Sequence, residues 1–230
     1  MKKLLIALLV TLIPMISFSQ NYTPNFKKIK KEVNKKKSEL YYPKLLERFE
    51  AADTTLTLEQ LQRFYYGAAT RPDYDPYRFG DYSELIDIFK KETKETKDWQ
   101  RAEEIVNEKL KEHPTSFRFY IYKHLIYENL YGEDSQQTND VILQLMMLSS
   151  AVTSTGDGLS EKTAFYITSV TDEYGILELL DLQSVGQSLI QKNKQSYDCL
   201  HLAENIYGLD ALYFNVTICM DQLIKKFGYN

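Results

Sequence analysis

Cysteine, tryptophan and histidine are all scarce in this chain. Two cysteines, Cys199 and Cys219, in 230 residues are too few for a disulfide scaffold. Three histidines, His113, His124 and His201, stand far apart. There is no His-Glu-x-x-His and no Cys-x-x-Cys pair for zinc, and no Gly-x-Ser-x-Gly elbow to present a nucleophile. Gly-x-Gly occurs once, at Gly156-Asp157-Gly158, without the preceding strand that a phosphate cradle requires, so it reads as a turn. Asp157 alone does not make a calcium loop. These absences leave no recognisable metal site, cofactor motif or catalytic set. An excess of positive charge is missing too. Against 28 basic residues stand 32 acidic ones, a poor balance for a general binder of nucleic acid. Beyond the first 20 residues no apolar stretch is long and uniform enough to span a bilayer.

What the chain does have begins at its start. Met1-Lys2-Lys3 is a positive head, residues 4–18 form an almost unbroken apolar run, and Ser17-Phe18-Ser19 sets small residues before a cut that leaves Gln20 first. That is the pattern of a cleavable secretory signal over residues 1–19. This run of 15 residues falls short of the ~20 that cross a membrane, and no cysteine stands at the cut for lipid attachment. The expected product is a periplasmic or secreted protein of 211 residues without a membrane span. Losing Lys2 and Lys3 leaves 26 basic residues against 32 acidic ones, a net charge of −6.

Tyrosine is abundant: 18 Tyr and 11 Phe accompany the single Trp. Residues 20–152 read as an antiparallel helical array. Phe26, Ile29 and Val33 form one helical stripe within a lysine-rich, solvated face. Pro43 suits the first turn of a second helix carrying Leu45, Leu46 and Phe49. Thr57 and Gln60 form a capping box, with Leu56 stapling onto Leu61. The helix they open reaches about Gly67, with Leu58, Leu61 and Tyr65 inward. Prolines and glycine make 71–80 a loop. Helices follow from Tyr82, with Leu85, Ile86 and Phe89 inward, and over 99–112 and 116–131. A buried helix over 140–150 is apolar nearly all round. Ala102, Val106 and Pro114 sit at tetratricopeptide-like offsets, although Lys109 falls where that repeat wants a small residue.

The turn-rich segment 153–162 marks a boundary. Residues 153–230 read as a small β-α-β-β-β-α region with a mainly antiparallel sheet, packed on the helices. Strands are expected over 165–170, 187–191, 197–203 and 211–217, with a helix over 172–181 and a closing helix through Met220, Leu223, Ile224 and Phe227. Alternation of Leu212, Phe214 and Val216 with Tyr213, Asn215 and Thr217 suits a sheet covered on one side. If the last two strands form a hairpin, Cys199 faces Asn215 or Thr217 rather than Cys219. A bridge needs Cα atoms within ~7 Å, so both cysteines are expected to be free. The fold class is therefore α+β.

The best constellation for recognition is the 71–80 loop. Asp73, Asp75 and Asp81 lie near Tyr74, Tyr77 and Tyr82, and Tyr65 and Tyr66 close the preceding helix. Rings that stack beside carboxylates that accept hydrogen bonds suit a sugar or peptide. The expected site is Tyr65, Tyr66, Asp73, Tyr74, Asp75 and Tyr77. The leading expectation is a non-catalytic binding or scaffolding protein of the periplasm or cell envelope, with an envelope protein or peptide as partner. The alternative is a hydrolase of glycans or peptides that uses loop carboxylates as acid and base.

Several stretches resemble a secreted family of Bacteroidetes, the domain of unknown function numbered forty-nine nineteen. They are Ser38-Glu39-Leu40-Tyr41-Tyr42-Pro43-Lys44-Leu45, Phe64-Tyr65-Tyr66-Gly67, Asp73-Tyr74-Asp75-Pro76-Tyr77, Thr155-Gly156-Asp157-Gly158, Thr163-Ala164-Phe165, Asp172-Glu173-Tyr174, Gln187-Ser188-Leu189, Tyr197-Asp198 and Leu212-Tyr213-Phe214-Asn215-Val216. The resemblance runs over nearly the whole mature chain. It implies export and a single family throughout, and brings no catalytic residue with it.

Overall fold

Seven helices come first and a four-stranded sheet follows, in a computed structural model that describes residues 21–77 and 80–228. The leader read over residues 1–19 lies outside the described residues. The helices are α1 (Phe26–Val33), α2 (Tyr42–Glu50), α3 (Leu58–Ala68), α4 (Ser83–Lys90), α5 (Trp99–Glu112), α6 (Phe117–Tyr131) and α7 (Gln136–Thr153). Then come β1 (Phe165–Tyr166), α8 (Val170–Leu179), β2 (Ser184–Lys192), β3 (Gln195–Leu202), β4 (Ala211–Asn215) and α9 (Thr217–Phe227). The fold is α+β.

Local chemistry explains most helix starts. Thr57 caps α3 through the Gln60 backbone N–H, and the Gln60 side chain returns a bond to the cap residue. Side chains of Asn25, Asp98, Ser116 and Ser135 cap α1, α5, α6 and α7 in the same way, each satisfying an otherwise orphaned N–H. Pro43 sits in the first turn of α2.

α3 runs through the middle of the helical array. Leu58 is 47 % exposed, but Leu61, Phe64, Tyr65 and Tyr66 are buried, and so are Gln62 and Arg63. The expected one-sided face is thus a helix buried nearly all round, because neighbours close on it from several directions. Arg63 is accommodated by the carboxylates of Glu32 at 2.6 Å and Glu59 at 3.2 Å, and by the Tyr22 hydroxyl at 3.1 Å. Much of the aromatic surplus goes here. Phe49 stacks on Phe64 at 4.4 Å, and Tyr65 meets Tyr66 edge-on at 5.0 Å. One apolar core runs from Ile29 on α1 to Val216 after β4, so the helices and the sheet share an interior.

The sheet order is β1-β4-β3-β2, with β1 parallel to β4 and the other pairs antiparallel. Leu212 and Phe214 face the helices and are buried, as the alternation requires. The strand expected over 165–170 is only two residues long, because Ser169 turns the chain into α8. Asn193 and Lys194 both adopt the left-handed conformation in the β2–β3 turn. The register differs from expectation. Cys199 faces Tyr213 on β4, and Asn215 faces Tyr197, since β4 ends at Asn215 and a longer connection shifts the pairing by two residues. Cys199 and Cys219 are both buried and unbridged.

Candidate functional site

Three separate segments converge at the seam between the helices and the sheet. They are the loop after α3 (residues 68–76), the α5–α6 turn (112–116) and the β1–α8 turn (168–172). Between them lies a cleft of about 60 Å³. That is room for a small group, whereas a site enclosing a whole drug-sized molecule takes ~300–1,000 Å³.

The loop forms one wall because it is clamped onto α9. The Lys226 ammonium bonds the Asp75 carboxylate at 2.7 Å, and the Gln222 amide donates to the Tyr74 carbonyl at 3.1 Å. Asp75 also accepts from the Tyr77 backbone N–H at 3.1 Å. The Tyr74 hydroxyl donates to the Thr168 carbonyl at 2.8 Å and lies 3.8 Å from the Cys219 sulfur. Ser169 Oγ donates to the Pro76 carbonyl at 3.3 Å, which ties the loop to the third segment. Arg71 makes a bidentate pair with Asp73, at 3.1 and 2.7 Å, and its guanidinium lies over the Tyr42 ring at 5.8 Å.

The floor is Asp172, which is buried. Its Oδ2 accepts from the Tyr65 hydroxyl at 2.6 Å, and its Oδ1 from the Phe117 backbone N–H at 3.4 Å. The carboxyl therefore sits at the N-terminus of α6 and in the first turn of α8. Burial pushes it up to about 7, against the pull of those two bonds and of the Arg118 charge. A carboxyl in that range exchanges a proton near neutral pH. Glu173 and Asp198, also buried, lie behind it. Burial raises both, and the neighbouring Asp198 charge takes Glu173 further, to about 9. Glu173 Oε1 finds no hydrogen-bond partner among the described residues.

The six residues expected at the site go to four different places. Asp73, Tyr74 and Asp75 line the cleft. Tyr65 lies beneath it, bonded to Asp172 and accepting from the Thr168 N–H at 3.3 Å. Tyr66 is elsewhere in the core, donating to the Tyr166 carbonyl at 3.0 Å. Tyr77 packs against α9, its hydroxyl 3.5 Å from the Met220 sulfur, and burial pushes that hydroxyl up to about 12. Asp81 accepts from the Ser83 N–H at 2.9 Å, just before α4. Asp172, Glu173 and Asp198 are not among the expected residues. Asp172 and Glu173, in the first turn of α8, look like ordinary dipole partners, Asp198 sits within β3, and the burial of all three has no local signature. Among the described residues no cluster of three or more metal-ligating side chains is present, and no helix is long and apolar enough to cross a membrane.

Comparison with known proteins places the chain by family. A model described as Domain of unknown function (DUF4919) matches residues 27–225, and the chain belongs to that family. No curated protein and no solved structure matches it.

Proposed function

We propose that this member of the DUF4919 family is an exported binding protein of the periplasm or cell envelope, and that it is not an enzyme. The reading is that it holds a polypeptide partner by taking one short polar side chain into the cleft at the seam. The observation that carries it is the cleft itself. Three chain segments meet around a small hollow of mixed lining, floored by Asp172 and rimmed by the hydroxyl-bearing Ser169 and Thr171, the few convergent polar groups by which sites fix orientation. Export rests on the leader pattern of residues 1–19, as does the kinship with secreted Bacteroidetes proteins on the motifs quoted above. The stacked pair α5 and α6, with Ala102 and Val106 buried between helices, supports a tetratricopeptide-like reading of the helical half.

Filling the hollow tests this. Thr171→Tyr occupies the cleft from the rim and leaves the Lys226–Asp75 and Gln222–Tyr74 clamps untouched. With a tag after Asn230, crosslinking in intact host cells is expected to recover a dominant envelope protein with the wild type. The variant should recover it at least roughly tenfold less, a loss of ~1.4 kcal/mol, at an unchanged melting temperature. Equal recovery with both proteins would sink the cleft as the contact.

Asp172 favours a second reading, a hydrolase of glycans or peptides. Asp73 and Asp75 are committed to Arg71 and Lys226, so of the three aspartates at the cleft Asp172 is the candidate acid or base, with Glu112 and His113 the other acid and imidazole that line it. If the protein hydrolyses any member of a glycoside and peptide panel, Asp172→Asn is expected to lower kcat by ~10²-fold or more. An alkaline-side or acid-side limb near pH 7 should vanish with it. Absence of turnover by the wild type ends this reading.

A further inference from the structure

β2 is an edge strand with an unusual surface. It is nine residues long, ends the sheet order, and is solvent-exposed along almost its whole length on both faces. Val185 and Leu189 are 67 % and 50 % exposed. Folded proteins guard such edges with charge, proline, bulges or coverage, and β2 has only a bulge at Val185, at its first end. From Ser184 to Gln191 this strand has no charged residue and no proline, and among the described residues nothing pairs with its outer side.

Its two ends carry opposite charge. The strand begins beside a groove lined by Tyr174, Glu178, Asp181 and Ser184, with Glu178 and Asp181 exposed. It ends in a projecting basic turn, Lys192-Asn193-Lys194, all exposed. Glu161 engages Lys192 at 2.6 Å, which leaves Lys194 at the tip. An antiparallel partner with the same layout would bring a basic tip to each acidic groove.

We propose that this chain dimerises edge to edge through β2, antiparallel about a two-fold axis at Ser188, with the basic turn of each copy seated in the acidic groove of the other. Ser188 is the middle residue of the strand, so this register overlaps the two copies along their whole length, with the bulge at Val185, where the β2–β3 pairing shifts between Ser184 and Gly186, near each end. It sets Gln187 opposite Leu189 of the second copy, Gly186 opposite Ile190 and Ser184 opposite Lys192. No like charges meet, and the small Ser188 lies on the axis. An isologous contact of this kind closes at two copies. A second copy fits better than a foreign strand because the charge pattern of the edge is its own antiparallel complement. Outer-edge N–H and C=O groups gain partners in the same step.

The test is analytical ultracentrifugation of the mature chain, residues 20–230, with charge variants at exposed positions. The wild type is expected to sediment as a dimer. Lys194→Glu and Glu178→Lys should each weaken the dimer roughly tenfold, because each sets like charges together twice. Mixed in equal amounts, the two variants should restore it, since in the mixed pair both contacts are again of opposite sign. Leu189→Lys should abolish it by burying charge beside the axis. A wild-type monomer at the highest soluble concentration overturns the proposal. So does a dimer that all three single variants leave intact, or a mixture no tighter than its components.

Discussion

At pH 8 the Glu173→Gln variant melts on the order of 10 °C above the wild-type protein, and at pH 5 most of that gap is gone. This result is expected from the buried carboxyl pair of Glu173 and Asp198. Glu173 is 1 % exposed, and burial together with the Asp198 charge holds its carboxyl up at about 9. In the unfolded chain a glutamate releases its proton near pH ~4.3. Between those values the folded chain holds a proton that the unfolded chain has lost, so stability falls as pH rises through the window. Each pH unit inside it costs up to ~1.4 kcal/mol, and ~1 kcal/mol moves Tm by roughly 2–4 °C in a chain of this size. Glutamine has nearly the same shape, stays neutral, and has an amide N–H to offer Asp198. Asp172 adds to the slope with the same sign, between the ordinary aspartate range and about 7. Differential scanning calorimetry from pH 5 to pH 9 decides the matter. Parallel curves for wild type and variant would mean that Glu173 is ionised in the folded protein.

The second large effect concerns a glycine where no side chain has room. A Cβ built on Gly156 falls 2.0 Å from the Thr163 carbonyl oxygen and 2.5 Å from its carbon. Both are backbone atoms, so rotamer change gives no relief. The same carbonyl accepts from the Gly158 N–H at 2.8 Å, and the Gly158 carbonyl accepts from the Tyr213 N–H at 2.8 Å. Displacing Thr163 therefore disturbs the turn that carries the chain from α7 to the sheet, and β4 with it. Gly156→Ala is expected to cost on the order of 3–5 kcal/mol, in the exceptional tail of single substitutions, and to lower Tm by ~10 °C or more. Gly186→Ala is the control. Its added carbon comes no closer than 3.7 Å to the His201 ring, and Tm should hold. A Gly156→Ala protein that melts with the wild type would refute the close approach.

The two predictions rest on features of different visibility. Gly156 stands in a turn-rich segment that the sequence marks as a boundary, and its turn character follows from local composition. The close approach of Thr163, which leaves no room for a Cβ at Gly156, does not, because it depends on how a turn folds back over residues seven positions on. Glu173 is less visible still. In Asp172-Glu173-Tyr174 the helical spacing points Tyr174 inward, yet Tyr174 is 43 % exposed and the two acids are buried. The reversal comes from α6. It packs so closely on α8 that a Cβ at Gly175 would lie 2.7 Å from the Phe117 Cβ, and this contact fixes which side of α8 faces in. The loop acids show the converse. Asp73 and Asp75 are conspicuous in sequence and do line the cleft, but their charges are tied to Arg71 and to Lys226, 151 residues further along.

By itself the sequence determined the elements, their order and the α+β class. Capping side chains, apolar periodicity and left-handed turn residues act over a few positions, and Thr57 with Gln60, Ser116 and Asn193 specify their structures without distant help. Only the tertiary structure decided which acids lie inside, where the three segments meet to make a cleft, and that β2 stands with both faces open. Burial, pKa and strand exposure depend on neighbours brought from far along the chain, and no local pattern encodes the identity of those neighbours.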